Sequence, residues 1–463
     1  MKNGFLVLIL LLSGCQVFEK KASPAPAEKL PQKWSAGNSS GEDVNNWLKD
    51  FDDKTLPDLV KEALKSNFDL QASAARLEEA YAIAGVAGAD RLPQLNLDST
   101  AQRRRSGTED IRSHSTSYDL FLRFNWELDI WGKLKDRKEA AEADALSEYF
   151  TFRSARLSLA ASVTRFWFNA VEARLQLLLA EETEKSFLKT YEIIDERFKR
   201  GISEALDVRL AAVDLANARQ NTQQRKADFD GAVRSLEVLL GRYPSGELKI
   251  SEKLPGIKAA IPLGLPAELL NRRPDILASL QSLKAAGLRV NEEKKELLPG
   301  ISLTASVGNS ASQFDRIFNA EKILWTLAGN LTQPIFQGGR IQAMIRQAEA
   351  GEKREVAQLM QLVYNACLEV ETAVSAEKFL TEKEKQIDIS VDESSKAFEL
   401  ALDRYGKGLS DIITLLASQR SEFTSRSRLL EVKLQRILNR LNLYLALGGE
   451  FDEKAANAEK EDK

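Results

Sequence analysis

Few residues of this chain have the type and spacing to do chemistry. There is one histidine, His114, and there are two cysteines, Cys15 and Cys367. His114 stands in a polar loop, expected at 102–117, with no metal-ligand neighbours. No phosphate-binding P-loop, Gly-rich dinucleotide fingerprint or G-x-S-x-G nucleophile elbow occurs. Carboxylates are many, but they follow helix surfaces, where a solvated face is the ordinary reading. Catalytic residues, metals and cofactors are therefore expected to be absent. Cys367 falls inside a helical pattern and reads as a small buried hydrophobe. What remains is Cys15, behind an apolar N-terminal run, and a pair of repeated turns.

Lys2 precedes an apolar run, Phe5 to Leu12, and then "LSGC" ends at Cys15. A short apolar run behind a positive charge is a secretory signal, too short to span a bilayer. Leu12-Ser13-Gly14-Cys15 resembles a bacterial lipobox. That resemblance implies a signal peptide at 1–14, cleavage before Cys15, a diacylglycerol on its sulfur and an acyl chain on its amino group. Gln16 follows, where aspartate would imply inner-membrane retention. Several acyl chains, at ~0.8 kcal/mol per buried CH₂, make a stable anchor. Residues 15–40, with Pro24, Pro26 and Pro31, read as a flexible tether. Residues 449–463 read as a polar tail. A net charge of −3 gives no reason to expect nucleic acid.

The repeated turns are "IDERFKRGISEALDVRLAAV", starting at Ile194, and "LDRYGKGLSDIITLLASQR", starting at Leu402. Arg197 overlays Arg404, Phe198 overlays Tyr405, Gly201 overlays Gly408 and Ser203 overlays Ser410. Each turn interrupts a long helical pattern. From Lys133 to about Lys199 there is no proline, and Leu157, Ala161, Thr164, Phe168, Val171, Leu175 and Leu178 step by 4 and 3, a coiled-coil-like period. A second helix is predicted from Ala205 to Leu240, ending at Gly241. The other half repeats this with helices from Arg340 to Tyr405 and on to Leu447, ending at Gly448. The last stripe runs through Ile413, Leu416, Arg420, Phe423 and on to Tyr444. The chain is thus an internal duplication: a first repeat at 41–241, a linker at 242–265 and a second repeat at 266–448.

Before each long helix the period drops to 2. In "SYDLFLRFNWELDIW", Tyr118, Leu120, Leu122, Phe124, Trp126 and Leu128 share one face, with Phe121 the one misfit on the other. Strands are predicted at about 94–102, 117–130, 300–308 and 322–334. Segments of about ten residues, apolar on one face, match transmembrane β-strands, and they equally match a half-buried antiparallel sheet. Four strands cannot close a barrel around a channel. An open sheet edge in lipid leaves backbone groups unpaired at several kcal/mol each. If these strands cross a membrane, the barrel must be shared among copies.

"ELDIWGKLKDR" at Glu127–Arg137, "LLNRRPDIL" at Leu269–Leu277 and "LTQPIFQGGR" at Leu331–Arg340 resemble the signature segments of the outer-membrane efflux proteins, the TolC-like outer-membrane factors. The resemblance runs from about Trp47 to Gly449 and is nearest to the lipoprotein branch. It implies a mainly α chain with a membrane β-barrel: a homotrimer whose long hairpins form an α-barrel in the periplasm, with four transmembrane strands per chain. It also implies partners: outer-membrane lipid, a periplasmic adaptor and an inner-membrane exporter, proton-driven in this branch. Gly132, Gly338 and Gly339 fall where strand must turn into helix. Arg272 and Arg273 are expected to bind carboxylates.

The resemblance further implies a periplasmic gate at the repeated turns. The family's latch positions fall on Asp207 and Tyr405, where a phenol can donate to a carboxylate. The second latch, a threonine and an arginine, falls on Leu206 and Ser410 and is absent. Acidic rings of some relatives fall on Thr414 and Ala417, also absent, while Glu204 and Asp411 lie within a turn of the tip. Those two either line the aperture or serve the first turns of their helices. The rival functions are a lipid-anchored coiled-coil scaffold without a pore and a duct for protein secretion.

Overall fold

The computed structural model describes residues 31, 33–36, 46–107, 113–257 and 266–451. They are mainly helical, with one small antiparallel sheet. The first half runs α1 (Leu56–Ser66), α2 (Phe68–Ala89), β1 (Gln94–Ser106), β2 (Ser113–Glu127), α3 (Lys133–Lys199) and α4 (Ala205–Leu239). After a single short turn of helix at Leu269–Arg272, the second repeats the order from α2 onward with α5 (Pro274–Lys295), β3 (Gly300–Ala311), β4 (Leu324–Thr332), α6 (Arg340–Gly406) and α7 (Ile412–Ala446). The duplication extends to length: α3 and α6 have 67 residues each, α4 and α7 have 35 each. At ~1.5 Å per residue, α3 and α6 are about 100 Å long.

Four glycines set the ends of the two hairpins. Gly201, Gly241, Gly408 and Gly448 have φ of 74°, 75°, 73° and 70°. Each is followed by an N–H that reaches back over the last helical turn, as Ile202 does to Arg197 O at 2.9 Å and Leu409 to Arg404 O at 2.8 Å. Such a cap needs a left-handed residue, which glycine adopts without strain. Their surroundings differ. A Cβ on Gly201 would meet nothing, whereas one on Gly241 would lie 2.5 Å from Ser66 O. Gly201→Ala should cost the ~1–2 kcal/mol of left-handed backbone alone. Gly241→Ala should cost a further ~1–3 kcal/mol of overpacking. Thermal melting of the two variants tests this, and equal losses would mean that the close approach at Ser66 relaxes freely.

The sheet order is β1-β2-β3-β4, antiparallel throughout. β1 and β2 run further than expected, so His114 stands in a strand opposite Arg105 and not in a loop, because the ladder continues pairing polar residues past the apolar rows. Its register aligns the apolar sets. Leu97, Leu122, Val307 and Trp325 form one row across all four strands, and Leu95, Phe124, Ala305 and Leu327 form the next. Asn96, Arg123, Ser306 and Thr326 form a polar row on the opposite face. The misfit Phe121 lies on that polar face opposite Gly308, where a Cβ would fall 2.7 Å from its Cα and from its ring. The phenyl ring thus fills the space that a side chain at 308 would take. The guanidinium of Arg123 lies 5.8 Å from the same ring and pairs with Asp98 at 2.8 Å. β1 and β4 are the two edges of the sheet.

Two apolar cores hold the helices. One gathers Trp47, Phe51, Trp167, Phe168, Leu441 and Tyr444 midway along the long helices. Three polar tips there are satisfied: Trp47 Nε1 donates to Gly449 O (3.1 Å), Trp167 Nε1 to Asp53 (2.7 Å) and Tyr444 Oη to Asp50 (2.6 Å). Burial and Asp50 push the Tyr444 hydroxyl up to about 12, so it stays a donor. The other core lies near the repeated turns and joins Phe187, Ile194 and Leu215 of one hairpin to Leu415, Leu416 and Phe423 of the other. The α3 stripe is buried as predicted through Val171, then moves to Gln176, Leu179 and Ala180. A straight helix drifts against a 3.5-residue repeat, so its buried face changes as its partner changes. In α7 Ile412 is buried at the tip and Ile413 is exposed, one residue off the predicted stripe.

The expected tether at 15–40 contains a docked segment. Trp34 is buried, Ser35 N and Ala36 N donate to the Glu371 carboxylate at 2.6 and 2.8 Å, and Lys378 Nζ donates to Ala36 O at 2.6 Å. That stretch is therefore not free along its whole length. Cys15 and the expected signal peptide lie outside the described residues.

Candidate functional site: a sheet, two arginines and a pair of turns

The strand-to-helix turns use the three predicted glycines. Gly132 caps α3 with φ 74°; Gly338 and Gly339, at φ 57° and 81°, precede α6. Around Gly132 the segment "DIWGKLKDR" is fastened from several sides. Asp129 accepts from Leu134 N and Lys135 N at 3.0 and 2.7 Å, covering the free N–H groups at the start of α3. Trp131 Nε1 donates to Pro299 O (2.8 Å), and Lys295 Nζ reaches Gly132 O (3.0 Å) and Asp136 (2.6 Å). Arg137 meets Glu292 at 2.7 Å. This motif locks the exit of β2 to the end of α5, so the sheet stands at a fixed angle on the helices.

The arginines of "LLNRRPD" have named partners. Arg273 is 8% exposed. Its guanidinium forks onto Asp275 at 3.1 and 2.8 Å, and Nη1 also donates to Glu369 (2.6 Å) and Ala446 O (3.2 Å). Burial opposes its charge, but the two carboxylates outweigh that and raise its pKa. Arg272 meets Glu268 at 3.1 Å. Pro274 opens α5 and Asp275 sits in its first turn, where a missing N–H costs nothing and a carboxylate suits the helix dipole. Sequence reasoning missed Glu369, which is 96 residues away and announced by no local pattern.

At the repeated turns the expected gate residues have local partners. Glu204 and Asp411 hold equivalent positions, the N-caps of α4 and α7. Asp411 accepts from Thr414 N at 2.7 Å and from Thr414 Oγ1 at 3.1 Å, and these bonds hold its carboxyl below the usual range. Both residues thus serve the first turns of their helices. The expected Asp207–Tyr405 pair is not made within the chain. Asp207 accepts from Glu204 N at 3.4 Å, while Tyr405 Oη lies 3.4 Å from Ser203 Oγ under the guanidinium of Arg197, 5.1 Å from the ring. Tyr405 is buried; Glu204, Asp207 and Asp411 reach solvent at the tip.

Among the described residues no helix is long and apolar enough to cross a membrane, and no group of three or more His, Cys, Asp or Glu gathers for a metal. The family model described as outer membrane efflux protein matches residues 59–242 and 265–449. The chain belongs to the outer membrane efflux protein family. The match falls in two blocks, one in each half of the chain. Among curated relatives, the cation efflux system protein CusC of Escherichia coli K12 is 29% identical over 455 residues, 95% of this chain and 97% of CusC. Outer membrane protein OprJ of Pseudomonas aeruginosa is 30% identical over 462 residues, 97% of this chain and 95% of OprJ. Among solved structures, the outer-membrane channel OprN matches this family member with a TM-score of 0.85 at 26% identity, covering 94% of this chain and 100% of that one. A crystal structure of CusC matches with a TM-score of 0.82 at 27% identity, with the same coverage.

Proposed function

We propose that this chain is the outer-membrane exit duct of a tripartite efflux system. Three copies close one barrel of about twelve strands, four from each. Their hairpins continue it as an α-barrel through the periplasm. The observation that carries this reading is the sheet: four strands with aligned apolar rows on one face and two unpartnered edges. In lipid those edges require partners, and β1 of one copy against β4 of the next supplies them. Lipid on Cys15 accords with the name of a relative, the probable outer membrane lipoprotein SilC of Salmonella typhimurium, 29% identical over 455 residues.

The partners in this reading are a periplasmic adaptor and a proton-driven inner-membrane exporter. The tips offer an apolar surface for the adaptor. Ile202 and Leu206 in the first repeat, and Leu409 and Ile413 at the same positions in the second, are 60–64% exposed. Duplicated, exposed and apolar, they suit an occupant that meets both turns alike.

The gate in this reading is the closed arrangement of those turns, held by the Tyr405 hydroxyl. Asp207 is the partner expected from the family, and Ser203 is the nearer one in this chain. Single-channel conductance in planar bilayers tests both duct and gate. The wild-type protein should give discrete conductance steps. Tyr405→Phe and Asp207→Ala should each raise the closed-state conductance, and the double variant should add little. Ser203→Ala acting alone would move the latch to Ser203. No conductance from any variant would favour the poreless scaffold.

A further inference from the structure

The outward face of β1 changes character along its length. Leu95 and Leu97 are followed on the same face by Ser99 and Ala101, then by Arg103 and Arg105. Across the ladder these arginines stand opposite Thr116 and His114 of β2, two and four pairs beyond the Tyr118–Ala101 pair. Arg103 is eight residues beyond Leu95, or ~27 Å of extended strand. At the tilt of a membrane strand that is about 20 Å of height, close to the ~25 Å apolar band of such barrels. The two cations therefore sit at the outer rim of the lipid-facing band.

They have company suited to a lipid. Tyr118 packs edge-on against Phe314 at 5.7 Å, and Phe314 against Phe318 at 6.2 Å. Phe314 and Phe318 are 63% and 71% exposed. The nearest strand carboxylate, Asp119, belongs to the opposite face and accepts from Ser310 at 2.6 Å and Ser117 at 3.4 Å. Arg103 and Arg105 make no ion pair with any described residue. Glu109 and Asp110 of the connecting loop lie outside the described residues.

We infer that Arg103 and Arg105 on β1, together with the Tyr118–Phe314–Phe318 rings that begin on the neighbouring strand β2, form a site for a phosphorylated lipid headgroup of the outer leaflet. Guanidinium groups suit phosphate geometry, and exposed rings suit the boundary between acyl chains and headgroups. The inference rests on the reading of these strands as a membrane barrel. Arg104, between the two arginines, faces the lumen and serves as an internal control.

The test is native mass spectrometry of the detergent-extracted full-length assembly, titrated with a bisphosphorylated glucosamine glycolipid and with its phosphate-free counterpart. The wild type should retain the phosphorylated lipid preferentially. Arg103→Gln with Arg105→Gln should weaken that retention roughly thirtyfold. Arg104→Gln should leave it unchanged, and inorganic phosphate should not compete. Unchanged retention in the double variant, equal loss in Arg104→Gln, equal binding of the phosphate-free lipid or competition by inorganic phosphate would each overturn the inference. Conductance of the same preparations separates the two failures. A conducting double variant with undiminished retention sinks only the lipid site, whereas a wild type that never conducts removes the barrel and the site together.

Discussion

An arginine in place of Leu122, Phe124, Leu303 or Leu327 is expected to cost ~2–4 kcal/mol at mid-depth in the membrane. A loss of that size is a large part of the stability of most folded proteins. The reason is the register. Leu122 stands in the row with Leu97, Val307 and Trp325, and Phe124 and Leu327 stand in the next, all on one face. In the proposed barrel a charge there meets hydrocarbon. Asn125 and Thr326 lie on the opposite face, where Arg123 and Asp98 already pair. Charging them should change little. Urea unfolding in lipid vesicles reads the difference, and equal sensitivity of the two faces would point to a half-buried sheet in a poreless scaffold.

Arg273→Ala is expected to cost about 3 kcal/mol, the lower end for breaking a buried ion pair. The lower end applies because Glu369 is half exposed and regains water. Asp275 would lose its bidentate partner and Ala446 O a donor. The stem matters too, since a Cβ on Gly448 would lie 3.1 Å from Arg273 Cγ and N. Arg273 thus fastens the start of α5 to α6 and to the end of α7. Arg273→Lys should recover part of the loss, because one ammonium cannot replace the fork. Thermal melting of the extracted protein checks both, and a melting point within a degree of wild type for Arg273→Ala would remove this clamp from the account.

Much of this fold was legible because the chain states it twice. The glycines at 201, 241, 408 and 448 mark hairpin ends that a single occurrence would not have distinguished from ordinary breaks. The alternation of β2 was legible because every residue on its outward face from Tyr118 to Trp126 is apolar. Phe121 was not, since its explanation, Gly308, lies on another strand with no local signal. The same limit hid Glu369 behind Arg273 and Glu371 behind the backbone of Ser35 and Ala36. Local caps were within reach: Asp411 three residues before Thr414 is an N-cap pattern, and the structure uses it as one. The partner of Tyr405 was not, because an overlay on the family fixes positions and not side-chain directions.

The closing of the proposed barrel is tested most directly by oxidising cysteines placed on the polar faces of the two edge strands. With Cys367 replaced by alanine, cysteines at Thr100 on β1 and at Thr326 or Ala328 on β4 would be cross-linked in intact outer membranes. The expected result is a covalent ladder that ends at three copies, formed only when both edges carry a cysteine. A ladder that ends at two, or monomers alone from every β1–β4 combination, would contradict a barrel shared by three chains.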